Sequence, residues 1–186
     1  PFTADHALRV SDVAECIAKE MELEDQAVQT SGISGKLMNL GKTLVPVEIL
    51  SKEGALTDEE MQIVRDSVQV SADLLQEVDF DGPVVDTIRQ VQEKWDGSGY
   101  PHSLKGEDIP ISARLMAIAD VYDALISKRV YKPPFTHTKA VNIIKEGSGS
   151  HFDPIMVATF EKITEQFRNA ALEFADFEEE RLALQA

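Results

Sequence analysis

Apolar residues in this chain recur at steps of three and four almost from end to end, and no stretch alternates long enough to make a convincing strand. That spacing restricts the chain to packed amphipathic helices, because only a 3.6-residue repeat places such positions on one face. Val10, Val13, Ala14, Ile17, Ala18 and Met21 form the stripe of a first helix. A second helix is expected over about residues 26–39, with Gly41 just beyond its end. Pro46 and Ile49-Leu50-Ser51 read as a connector. Thr57 followed by Glu60 is a capping box, opening a helix whose face carries Met61, Val64, Val68, Ala72 and Leu75. Pro83 is placed to start the next helix, which runs through Val84, Ile88 and Val91 towards Trp95. Ser112 can cap a helix carrying Leu115, Ile118, Ala119, Tyr122 and Leu125. Another spans about residues 139–145 and stops at Gly147, and Asp153-Pro154 opens the last one.

With 186 residues the chain suits one domain, or one domain with an added terminal element. Hydrophobic residues make up 43% and charged residues 27%, and no apolar run approaches the roughly 18 residues needed to cross a bilayer. No signal-peptide pattern opens the chain, and without an initiator Met it reads as a domain cut from a longer protein. Cys16 is the only cysteine, so neither an intrachain disulfide nor a cysteine-based zinc site can form. These points lead to the expectation of a cytoplasmic protein. The formal net charge of −15 repels nucleic-acid backbones and anionic membranes, so neither is an expected partner. A phosphate ligand can bind only where basic residues concentrate. Ser127-Lys128-Arg129-Val130-Tyr131-Lys132 is one such place.

The stretch 96–110 carries three glycines, two prolines and little periodicity, which marks a long loop and a candidate functional segment. It lies within the run Trp95-Asp96-Gly97-Ser98-Gly99-Tyr100-Pro101, then Leu104-Lys105-Gly106-Glu107-Asp108-Ile109-Pro110. Ala117-Ile118-Ala119-Asp120-Val121-Tyr122-Asp123-Ala124-Leu125 and His151-Phe152-Asp153-Pro154 follow. In order and spacing these segments closely resemble the C-terminal half of the HD-GYP signalling phosphodiesterases of bacteria. His6, Arg9 and Val10, then Leu40-Gly41-Lys42 and Pro46, resemble the N-terminal half more loosely, so the likeness covers about residues 1–160.

The resemblance implies an all-α, HD-domain-like helical bundle with a long GYP loop and a long C-terminal helix. It divides the chain into an HD-GYP-like domain at 1–160 and a helical extension at 161–186. In active members of the family, His and Asp side chains hold two or three iron or manganese ions that hydrolyse cyclic di-GMP. Here the HD dyad falls on Met38-Asn39, the next helix's His near Ser67, and the paired His on Val91-Gln92. Only His6 and Asp120 survive as remnant metal positions. One His and one Asp cannot hold a dinuclear centre, so no metal, no other cofactor and no catalytic residue is expected.

What the resemblance leaves is recognition. It implies that Tyr100, Lys42, Arg129 and Lys132 contact cyclic di-GMP, the basic pair gripping its phosphates. It also implies that Gly99, Tyr100 and Pro101 meet a partner domain such as GGDEF. The function expected is therefore a non-catalytic signalling module, one that binds cyclic di-GMP, meets a partner domain or regulates an attached domain in the manner of a response regulator. The alternatives are a weak phosphodiesterase with a rearranged site and a structural dimerisation module. Phe160, Ile163, Phe167, Ala170, Phe174 and Phe177 repeat at alternating steps of three and four, a seam that either packs back on the bundle or joins two copies as a homodimer.

Overall fold

The computed structural model describes residues 2–52, 54–128, 133–173, 175 and 177–185, with side chains from residue 6 onward. All regular structure among them is helical. The long elements are α1 (Phe2–Glu20), α2 (Asp25–Leu37), α4 (Asp58–Leu75) and α6 (Ile111–Ile126). Shorter ones are α3 (Val47–Leu50), α5 (Val84–Gln90), α7 (His137–Glu146), α8 (Pro154–Lys162), α9 (Thr164–Glu173) and α10 (Glu178–Gln185).

The caps form as their chemistry dictates. The Thr57 hydroxyl accepts the Glu60 N–H while the Glu60 carboxylate accepts the Thr57 N–H. Asp153 accepts the Ile155 N–H, with Pro154 at the first helical position. The expected connector at 46–51 carries a short helix, α3, and boundaries move elsewhere too. Gly41 lies inside a 3-10 turn, Leu40–Leu44, rather than beyond a helix end, and packs against α4 where its N–H donates to Ser71 Oγ. Pro110, not Ser112, precedes α6, and Ser112 is buried inside it.

The predicted stripe of α1 is the centre of the molecule. Val10, Ala14, Ile17 and Ala18 have no exposed surface, nor have Leu115, Ile118 and Ala119 of α6. α1 crosses α2 closely at Gly35, where an added Cβ would sit 2.7 Å from the Ser11 backbone. α1, α2 and α6 thus form the body of the bundle, with α4 and α5 on one side and α7 to α10 on the other.

The last helix expected from Pro154 is divided into three, with breaks at Ile163 and before Glu178. The cause is the core. Phe160 and Phe167 are fully buried and make edge contacts with Tyr122 at 6.0 and 5.3 Å between ring centroids. A straight helix over 154–185 would run about 45 Å and leave the bundle. Breaking it lets Phe160, Ile163, Phe167 and Leu184 all reach one hydrophobic core. The phenylalanine seam is therefore spent inside the chain at 160, 163 and 167, and Phe174 lies outside the described residues. Phe177 and Leu182 remain exposed, with Lys128 Nζ over the Phe177 ring.

Candidate functional site

Two helices bring the chemistry together by the same spacing. His6 and Arg9 lie three apart on α1, and Asp120 and Asp123 lie three apart on α6, so each pair projects from one face. The faces meet. Arg9 Nε donates to Asp123 Oδ1, and its Nη2 donates to Ser127 Oγ at 3.0 Å. His6 Nδ1 bonds Asp123 Oδ2, while Nε2 faces Asp120 Oδ1 at 3.4 Å, an electrostatic contact without hydrogen-bond geometry. Asp123 is 1% exposed, Arg9 5% and His6 6%, so this is a buried cluster in which two carboxylates face two basic groups.

The charges set one another. Burial opposes protonation of His6, but Asp120 and Asp123 outweigh it and lift its pKa from 6.5 to about 9. Burial likewise opposes ionisation of Asp123, yet the bonds from His6 and Arg9 hold its pKa below the ordinary carboxylate value. His6 and Asp120, both expected here, are indeed brought together. Asp123 and Arg9 are the residues whose part sequence reasoning missed. The signal was present: an i,i+3 basic pair on one helix and an i,i+3 acidic pair on another.

Around this cluster lie the other positions singled out in the sequence. Met38 is 1% exposed and Asn39 6%, and neither side-chain polar atom of Asn39 has a hydrogen-bond partner among the described residues. Ser67 is buried with its hydroxyl donating to Val64 O, Val91 is buried, and Gln92 accepts the Tyr100 N–H at its carbonyl. Among the described residues, no group of three or more His, Cys, Asp and Glu side chains is placed to hold a metal ion. Lys42 is half-buried in the 3-10 turn after α2. Arg129 and Lys132 lie outside the described residues.

The 96–110 loop is held from both sides. The buried Glu93 carboxylate accepts the N–H groups of His102 at 2.6 Å and Leu104 at 3.0 Å. The N–H groups of Trp95 and Asp96 donate to the carbonyls of His151 and Ser150. Gly97 takes φ +85°, which suits glycine. Gly99 is needed for space instead: an added Cβ would sit 2.3 Å from Lys94 N. Of the three expected partner contacts, Gly99 is thus buried, Tyr100 half-buried and Pro101 exposed. The Tyr100 ring closes a groove against α4, with the Arg65 guanidinium 5.8 Å from its centroid.

The HD domain family model matches residues 1–156. A cyclic di-GMP phosphodiesterase of Vibrio cholerae is 40% identical over 94% of the chain. A probable cyclic di-GMP phosphodiesterase of the same organism is 37% identical over all of it. The chain spans only 38% and 46% of those two proteins' lengths. Among solved structures, an HDG"Y"P protein of Bdellovibrio bacteriovorus superposes on 88% of the chain and 52% of its own, with TM-score 0.69 and 19% identity. A cyclic GMP-AMP specific phosphodiesterase of V. cholerae covers 96% of this chain and 48% of its own, with TM-score 0.67 and 19% identity. The all-helical HD-domain-like architecture is common to them.

Proposed function

The chain belongs to the HD domain family, and from that premise we propose that it is a non-hydrolysing signalling module of the HD-GYP kind that recognises a cyclic dinucleotide. The observation that carries this reading is the donor set. His6 Nδ1 is engaged by Asp123, which Arg9 also holds, and its Nε2 faces Asp120, so α1 and α6 bring only one imidazole and one further carboxylate to this place. At the positions where the family resemblance calls for ligands stand Met38, Asn39, Ser67, Val91 and Gln92. A thioether, two neutral amides, a hydroxyl and an alkyl group do not fit a centre of two divalent ions, which needs imidazole and carboxylate donors. No hydrolytic step is assigned to the site.

The recognition surface in this reading is Tyr100 with Lys42, and Arg129 and Lys132 as the phosphate contacts. The exposed Pro101 edge of the loop is the contact for a partner domain such as GGDEF. Similarity to two Vibrio phosphodiesterases supports the ligand class, and equally a second reading, a hydrolase with a rearranged site.

One sample separates the two. Metal content, cyclic di-GMP turnover and ligand-dependent melting are measured on the same purified protein. The expected result is less than one iron, manganese or zinc per chain, no linear product, and a melting temperature that rises with cyclic di-GMP. Stoichiometric metal with chelator-sensitive turnover overturns the proposal.

A further inference from the structure

Arg65 stands apart from the other described arginines. Each of those donates to a carboxylate or a backbone carbonyl: Arg9 to Asp123, Arg89 to Asp73, Arg114 to Asp153, Arg168 to Glu165 and Arg181 to Ala175 O. Arg65 has neither partner among the described residues, in a chain of net charge −15. Its guanidinium instead faces the Tyr100 ring. The two form one wall of a groove between α4 and the loop, about 290 Å3 in volume, completed by Gln62, Asp66, Gln69 and Pro101.

Asp66 Oδ1 accepts from Gln62 Nε2 at 2.7 Å, while Oδ2 has no hydrogen-bond partner among the described residues. The groove therefore presents a forked cation, a carboxylate oxygen and an aromatic face. Guanine uses all three. Its O6 and N7 accept from a guanidinium, its N1–H and N2–H groups donate to a carboxylate, and its π-face stacks on a ring. Adenine turns its N6 amino donors towards the guanidinium and has no N1–H for the carboxylate. Burial raises the Tyr100 pKa, Arg65 opposes it, and Asp120 adds to it, so the groove lies within electrostatic reach of Asp120 on α6.

We propose that this groove is a base-specificity site which takes one guanine of a guanine-containing cyclic dinucleotide, with Arg65 and Asp66 selecting the base and Tyr100 stacking on it. It rests on the reading above for the rest of the ligand.

Calorimetry on the whole chain with cyclic di-GMP, cyclic di-AMP and GMP tests it. Arg65 and Asp66 are exposed, so Arg65→Lys and Asp66→Asn keep the fold, which melting temperature checks. The parent should favour cyclic di-GMP over cyclic di-AMP. Each variant should weaken cyclic di-GMP binding about tenfold or more and narrow that preference. Tyr100→Phe should bind like the parent and Tyr100→Ala should not. If both variants bind cyclic di-GMP as the parent does, with the same base preference, the guanine site is wrong and the signalling reading stands. If GMP binds in an Arg65-dependent way but no cyclic dinucleotide does, the base site stands and the signalling reading falls. If the parent binds none of the three, both fall.

Discussion

At the residue scale, the cluster of His6, Arg9, Asp120 and Asp123 explains why one face of α1 tolerates charge inside the bundle. Asp123 bonds both Arg9 and His6 inside the bundle, so removing it takes from each a buried carboxylate partner. Asp123→Ala should lower unfolding free energy by about 3–5 kcal/mol in a urea titration. Asp120→Asn should cost less, because the Asp120 side chain is 24% exposed and its contact with His6 is longer. The His6 proton gives a second prediction. The folded pKa of about 9 lies above the ordinary 6.5, so its stabilisation is complete below pH 6.5 and is lost as pH rises through about 9. A His6 ring resonance in NMR should titrate near 9. An imidazole bound to a metal ion carries no such proton on its ligating nitrogen, so a ring that stays neutral throughout contradicts the cluster.

Among the elements, the loop from Trp95 to Pro110 is built by its neighbours rather than by its own periodicity. Glu93 is buried just beyond the end of α5, and its two carboxylate oxygens each take one loop N–H. Glu93→Ala should cost about 1–3 kcal/mol through the two amides left without an acceptor. Hydrogen exchange should quicken at His102 and Leu104 while α1 and α6 stay protected. A uniform loss of protection would mean that Glu93 serves the core rather than the loop. Glu180 does a related service for α10. Its carboxylate accepts the Lys128 N–H at 2.7 Å, which ties the C-terminal helix to the start of the basic stretch.

For the whole molecule, one core joins α1 to α10, and the C-terminal segments are part of it. Tyr122, Phe160 and Phe167 meet edge to face, and the Tyr122 hydroxyl bonds His137 Nδ1 at 2.8 Å. Phe167→Ala should therefore destabilise the entire chain by about 3–5 kcal/mol in a single unfolding transition. An early transition confined to the C-terminal helices, with the rest unchanged, would show that they fold as a separate unit.

Helical spacing, the Thr57–Glu60 box and the Asp153-Pro154 start were legible in the chain because each depends on residues a few positions apart. The loop was legible for the same reason, its glycines and prolines being local constraints. The three-way break after Pro154 was not, because the pull on Phe160 and Phe167 comes from Tyr122, some forty residues away. Nor was the pairing of Arg9 with Asp123, or the approach of the Arg65 guanidinium to the Tyr100 ring. Sequence spacing sets which side chains share a helix face. Only the packing of one helix against another decides which charges neutralise each other and which cation is left facing a groove.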